Sequence, residues 1–84
     1  MKVVMLARQV DEARDHAVLA GLALSDVIIP GSERNLVGLR LTGDDLIVEF
    51  PSFVAHPREQ QIRETLERIL AMCKSRPPWE RLGR

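Results

Sequence analysis

From Val3 to Ala7 every position is apolar, and valines lead the run. A strand with one wet face alternates apolar and polar residues, whereas an unbroken run suits a central parallel strand covered on both faces. The pattern then changes period. Between Val10 and Leu22 the small and apolar residues Val10, Ala13, Ala17, Ala20 and Gly21 recur at helical spacing, Leu24 continues the stripe, and Glu12, Asp15 and His16 lie opposite. This predicts an amphipathic helix whose small inner residues let it approach a sheet closely. Asp11 and Glu12 suit the positive end of its dipole, and Gly21 suits its close.

Asp26-Val-Ile-Ile-Pro30 predicts a second, short strand bounded by turn residues. Ser32 with Glu33 behind it predicts the cap of a single helical turn through Leu36. A third strand is expected over Asp45-Leu-Ile-Val-Glu-Phe50, stopped by Pro51. Pro57 stands at a favoured first helical position, and Ile62, Leu66, Ile69, Leu70 and Cys73 make one stripe of a second helix running to about Lys74. Glu59 with Arg63, and Glu64 with Arg68, are i,i+4 pairs in the favourable order.

These elements describe an α/β fold: a small three-stranded, mainly parallel sheet in the order 2-1-3 with two amphipathic helices, β-α-β-β-α. Leu36 to Asp45 is then a connection, the crossovers are right-handed and the first strand lies in the middle. A second arrangement competes. Val37 to Leu41 pairs in it antiparallel with Leu46 to Phe50 across Thr42-Gly-Asp-Asp45, giving a mixed sheet with a 37–50 hairpin. Residues 1–74 form the single domain in both arrangements. Residues 75–84 form an extended tail, because Pro77 and Pro78 cannot continue a helix.

At 84 residues one core supplies only a few kcal/mol of net stability, so help from a partner or a second copy is expected. The formal charge is zero and the chain has only Phe50, Phe53 and Trp79 as aromatics, which together argue against nucleic-acid binding. Charge is uneven: residues 1–56 hold five basic and eight acidic side chains, residues 57–84 seven and four. Such a split can orient a head-to-tail contact. The lone Cys73 cannot form an internal disulfide, and the first apolar run leads at once to charged residues rather than to a cleavage-type signal; a cytoplasmic location is expected. No apolar run reaches the ~20 residues that span a bilayer, so no membrane role is expected.

Chemistry is sparse. In a parallel sheet ligands bind at the carboxyl ends of the strands, near the point where strand order reverses. That edge would gather Arg8 after the first strand, Ser32 and Arg34 after the second and His56 after the third, a set able to hold a small anionic, nucleotide-like ligand. Gly31 to Gly38 lacks the Gly-Lys-Ser/Thr ending of a phosphate loop and the Gly-x-Gly-x-x-Gly pattern. Two histidines and one cysteine, far apart, predict no metal site, Asp44-Asp45 suits a turn, and neither a catalytic set nor a cofactor is expected. The tail offers the other surface: Pro78, Trp79 and Leu82 either present an extended hot-spot segment to a partner or fold back over the last helix.

The series Val3-Val-Met-Leu-Ala-Arg8, Glu12-Ala-Arg14, Asp26-Val-Ile-Ile-Pro-Gly31, Leu36-Val-Gly-Leu-Arg40 and Asp44-Asp-Leu-Ile-Val-Glu49 resembles small Rossmann-like α/β proteins of phages of high-GC bacteria. The resemblance covers about residues 1–70 and implies a minimal α/β fold without a shared activity. The expected function is a protein-interaction module that binds itself or a host protein. The alternative is the anionic-ligand binder.

Overall fold

In the computed structural model, which describes residues 1–83, the amino-terminal apolar run is strand β1 (Val3–Leu6), buried at all four positions. It lies inside a sheet of four strands with β2 (Val27–Ile28), β3 (Leu46–Glu49) and β4 (Trp79–Arg81) in the order β2-β1-β3-β4. All three pairings are parallel, with Val3 opposite Val27 on one side and Leu46 on the other, and Ile47 opposite Trp79.

The two-residue period of the strands divides the core into two layers. Val3, Met5, Ala7, Val48 and Phe50 face helix α1 (Val10–Leu19), which contributes Ala13 and Ala17. Val4, Leu6 and Ile47 face helix α2 (Glu59–Ala71), which contributes Ile62, Leu66 and Leu70. The helices therefore cover opposite faces of the sheet, as a central strand without polar positions requires.

The helix ends follow local chemistry. α1 stops at Leu19, short of the expected Leu22, because Gly21 takes a left-handed φ of 74°. The reversal lets Gly21 N–H donate to the Val18 carbonyl (3.1 Å) and Leu22 N–H to the Ala17 carbonyl (2.9 Å), satisfying two orphan acceptors. Val10 and Leu24, expected on the inner stripe, are exposed. In α2 the Glu59–Arg63 pair forms (2.9 Å), while Glu64 accepts from Gln60 rather than from Arg68.

The sheet has four strands, not three, and the fourth comes from the segment expected as a tail. Its last residue, Arg84, lies outside the described residues. Pro77-Pro78 does forbid helix and set the chain extended, but the extended chain lies along β3. Ile47 N–H donates to the Pro78 carbonyl (2.9 Å) and Leu82 N–H to the Glu49 carbonyl (2.8 Å). A strand buried on both faces cannot leave one edge of its backbone unpaired without cost, and β4 supplies the partner. That same pairing leaves no place for the 37–50 hairpin. Residues 37–41 are irregular, and their alternation reflects packing: Leu41 is buried and Leu39 half-buried against the α2 layer.

One polar cluster joins these parts. Glu49, at the end of β3, is buried and faces α2. Arg63 grips both of its oxygens (3.0 and 2.8 Å), the Trp79 indole Nε1–H donates to Oε1 (3.1 Å), and Arg81 lies 3.8 Å away. Arg63 also stacks over the Phe53 ring at 4.9 Å. The Arg63 hydrogen bonds outweigh burial and, with Trp79 and Arg81, hold the Glu49 carboxyl below its ordinary value of 4.5.

Trp79→Ala is expected to lower unfolding free energy in urea by roughly 2 kcal/mol, less than full core truncation because the indole is only half-buried. An unchanged midpoint would detach Trp79 from the core. A depressed carboxyl contributes stability above its unfolded pKa and loses it as pH falls through the folded one. The wild-type chain should therefore hold this contribution above about pH 4.5 and shed it in stronger acid. Glu49→Gln should be weaker at pH 7 and flatter in acid; equal acid slopes would contradict this.

Candidate functional site

At the carboxyl edge of the sheet the expected polar residues are largely engaged with one another. Ser32 caps a 3-10 turn (Glu33–Leu36), its Oγ accepting from Arg34 N–H (3.3 Å). Asn35 Oδ1 reaches back to accept from Gly31 N–H (2.9 Å) and Ser32 N–H (3.1 Å), the amides that would otherwise face a bound anion. Glu33 pairs with Arg58 and its carboxyl is held below 4.5 by that guanidinium. His56 Nδ1 accepts from Arg58 N–H (2.9 Å).

Arg8 stands apart from this group. With Gln9, Glu12 and Ser52 it lines a shallow depression of about 340 Å³ that Ser32, Arg34 and His56 do not reach. Ser52 Oγ donates to Glu12 and accepts from Arg8 N–H (3.2 Å). The four residues expected to converge on one anion thus fall in two places, with Glu12 and Glu33 among them.

Pro78, Trp79 and Leu82, the residues expected to meet a partner, are engaged within their own domain. The Pro78 carbonyl and the Leu82 amide hydrogen bond to β3, and Trp79 packs against the α2 layer with its N–H on Glu49. The segment lies on its own domain as a strand beside β3, with Trp79 against the α2 layer, rather than folded over the last helix.

A wider concavity lies at the opposite edge, where the strands begin. The connection from the 3-10 turn to β3 runs beside the end of α2 and leaves a groove of about 660 Å³. Leu39 and Leu41 form one wall; Ile69, Met72 and Cys73 form the other. Gly38, at φ 78°, follows Val37 in a turn closed by Leu39 N–H on the Leu36 carbonyl (3.1 Å). Only a residue without Cβ takes that position at ease, and the turn aims Leu39 inward while leaving Val37 81% exposed at its tip. Met72 is 88% exposed on the facing wall. The charged residues of the lining are Arg40 and Lys74, and no carboxylate is among them.

Hydrogen bonds tie the two walls of the groove together and its outer wall to the start of the chain. The Cys73 thiol lies 3.1 Å from the Leu41 carbonyl and 3.3 Å from that of Ile69, bridging the walls. Lys2 Nζ donates to the Arg40 carbonyl (2.7 Å). Asp45 accepts from Lys2 N–H (2.7 Å) and Thr42 N–H (2.8 Å). Burial pushes the Asp45 carboxyl up, but these two donors and the nearby positive charges hold it below 3.8. Asp45 is thus the turn residue its sequence position suggests.

The fold and groove define a small, doubly covered parallel α/β domain with an open apolar cleft. Comparison with protein-family models, with curated proteins and with solved structures finds no match. Among the described residues no helix is long and apolar enough to cross a membrane. Sequence reasoning missed the groove because its walls lie about thirty residues apart in the chain and meet only after folding. The one available signal was Cys73 at the end of the α2 stripe.

Asp45→Ala should cost about 2 kcal/mol, since it orphans two donors in a partly buried turn. It should also raise amide exchange at Thr42 and in the groove wall above it. Unaltered exchange there would show the wall to be held by other contacts.

Proposed function

We propose that this chain is a non-catalytic protein-interaction module and that the groove between residues 38–42 and the end of α2 is its binding surface. Its occupant is an acidic, apolar segment of a protein. The observation that carries this reading is the lining itself: apolar walls, two exposed cations, no carboxylate, and large apolar side chains left in water beside it. Exposed apolar area gathered around a concavity is stabilised when covered, and surface of that kind marks contact sites.

Charge then selects the partner. Arg40 and Lys74 repel a basic segment and attract an acidic one, and because both are exposed the attraction acts mainly on encounter rate and choice of partner. At the carboxyl edge Asn35 takes the Gly31 and Ser32 amides and Glu12 lies beside Arg8, which makes an anionic small molecule the poorer occupant of this protein. A cytoplasmic setting suits the free Cys73 thiol, and a phage origin would make the partner a host protein or the chain itself.

Cys73 provides the assay. A synthetic amphipathic peptide with leucines on one face and glutamates on the other should slow alkylation of Cys73 by N-ethylmaleimide several-fold. Its lysine-for-glutamate counterpart should not, and Met72→Asp should remove the protection. Equal alkylation rates with and without the acidic peptide at millimolar concentration would sink the proposal.

A further inference from the structure

We propose, resting on the reading of the groove as a protein-binding surface, that its occupant is a second copy of this chain, docked through the carboxyl end of α1. That end carries the complement of the groove. Asp15, Val18 and Leu19 share one face of α1 at i, i+3 and i+4, and Leu24 follows in a 3-10 turn (Leu24–Asp26) that packs on the helix. Leu19 is 89% exposed, Val18 60% and Leu24 50%.

The charge around this patch is mainly acidic: Asp11, Asp15 and Asp26 stand against Arg14, which lies one turn before Val18 and 4.0 Å from Asp11. The groove has the reverse arrangement, Arg40 and Lys74 without an acid. An acid-flanked apolar knob and a base-flanked apolar groove on one molecule are complementary surfaces.

They cannot meet within one copy. α1 packs on one face of the sheet and α2, which builds a groove wall, on the other. The contact is therefore heterologous, knob of one copy to groove of the next, and each docked copy presents another free knob and another free groove. Contacts of this type extend into chains or close into rings.

Mass by light scattering across a concentration series tests this on the full chain. At low salt the mass should rise with concentration, and added salt should reverse the rise, because exposed charges are screened. Leu19→Asp and Met72→Asp should each weaken association by at least ~10-fold without lowering the melting temperature, since both side chains are in water. Mixing the two variants gives the sharper result: Leu19→Asp keeps a groove and Met72→Asp keeps a knob, so the equimolar mixture should form 1:1 dimers and grow no further.

A wild-type chain that stays monomeric at every concentration, or assemblies indifferent to both substitutions, would overturn the inference. If Cys73 of such a monomer is still shielded by the acidic peptide, only docking of a second copy falls and the groove keeps its role. If the shielding is absent as well, both fall.

Discussion

The structure depends on one buried carboxylate. Glu49 ends the strand that pairs with β1 on one side and β4 on the other, and its side chain enters the layer beneath α2. An acid there without partners would be protonated or would unfold the strand. It stays charged because Arg63 meets it with two hydrogen bonds and Trp79 with a third. A buried pair of this kind adds little net stability against an apolar substitute, but removing one partner is costly. Its effect is thus to make three elements conditional on one another: β3 is comfortable only when α2 and β4 are both in place.

That condition explains where sequence reading succeeded and failed. β1, both helices, the parallel order of the first three strands and the Ser32-capped turn are legible because each depends on local period or capping chemistry. β4 was not legible as a strand, since Trp-Glu-Arg has no apolar alternation to announce it. The signals lay in pieces: a solitary tryptophan with apolar area to cover, and a glutamate in a strand otherwise apolar on that face. Joining them requires knowing that Glu49 and Trp79 meet, which is tertiary information.

The two ends of the sheet divided differently from expectation for a related reason. Turn-forming and capping residues are the same types that bind anions, so Ser32, Asn35 and Ser52 read equally as ligand groups or as self-satisfied loops. Here Asn35 and Glu12 take up the donors. The apolar edge had the opposite problem. Leucines at 39 and 41 and the end of the α2 stripe read as core, and only the geometry of the Gly38 turn leaves a gap between them.

All strand pairings are parallel, and this shapes the route by which the chain can fold. Among the described residues no hairpin exists to nucleate the sheet, and the bond between Lys2 and Asp45 closes a separation of 43 residues. Every pairing must wait for a long loop to close before it is rewarded, which raises the barrier relative to a helical bundle of equal length. β1 sits between two strands that come later in the chain, so it spends that interval as an uncovered apolar run. A cell making this protein must tolerate a sticky amino-terminal segment until the chain beyond residue 46 has found it, and crowding or heat would act on that interval before it acts on the finished fold.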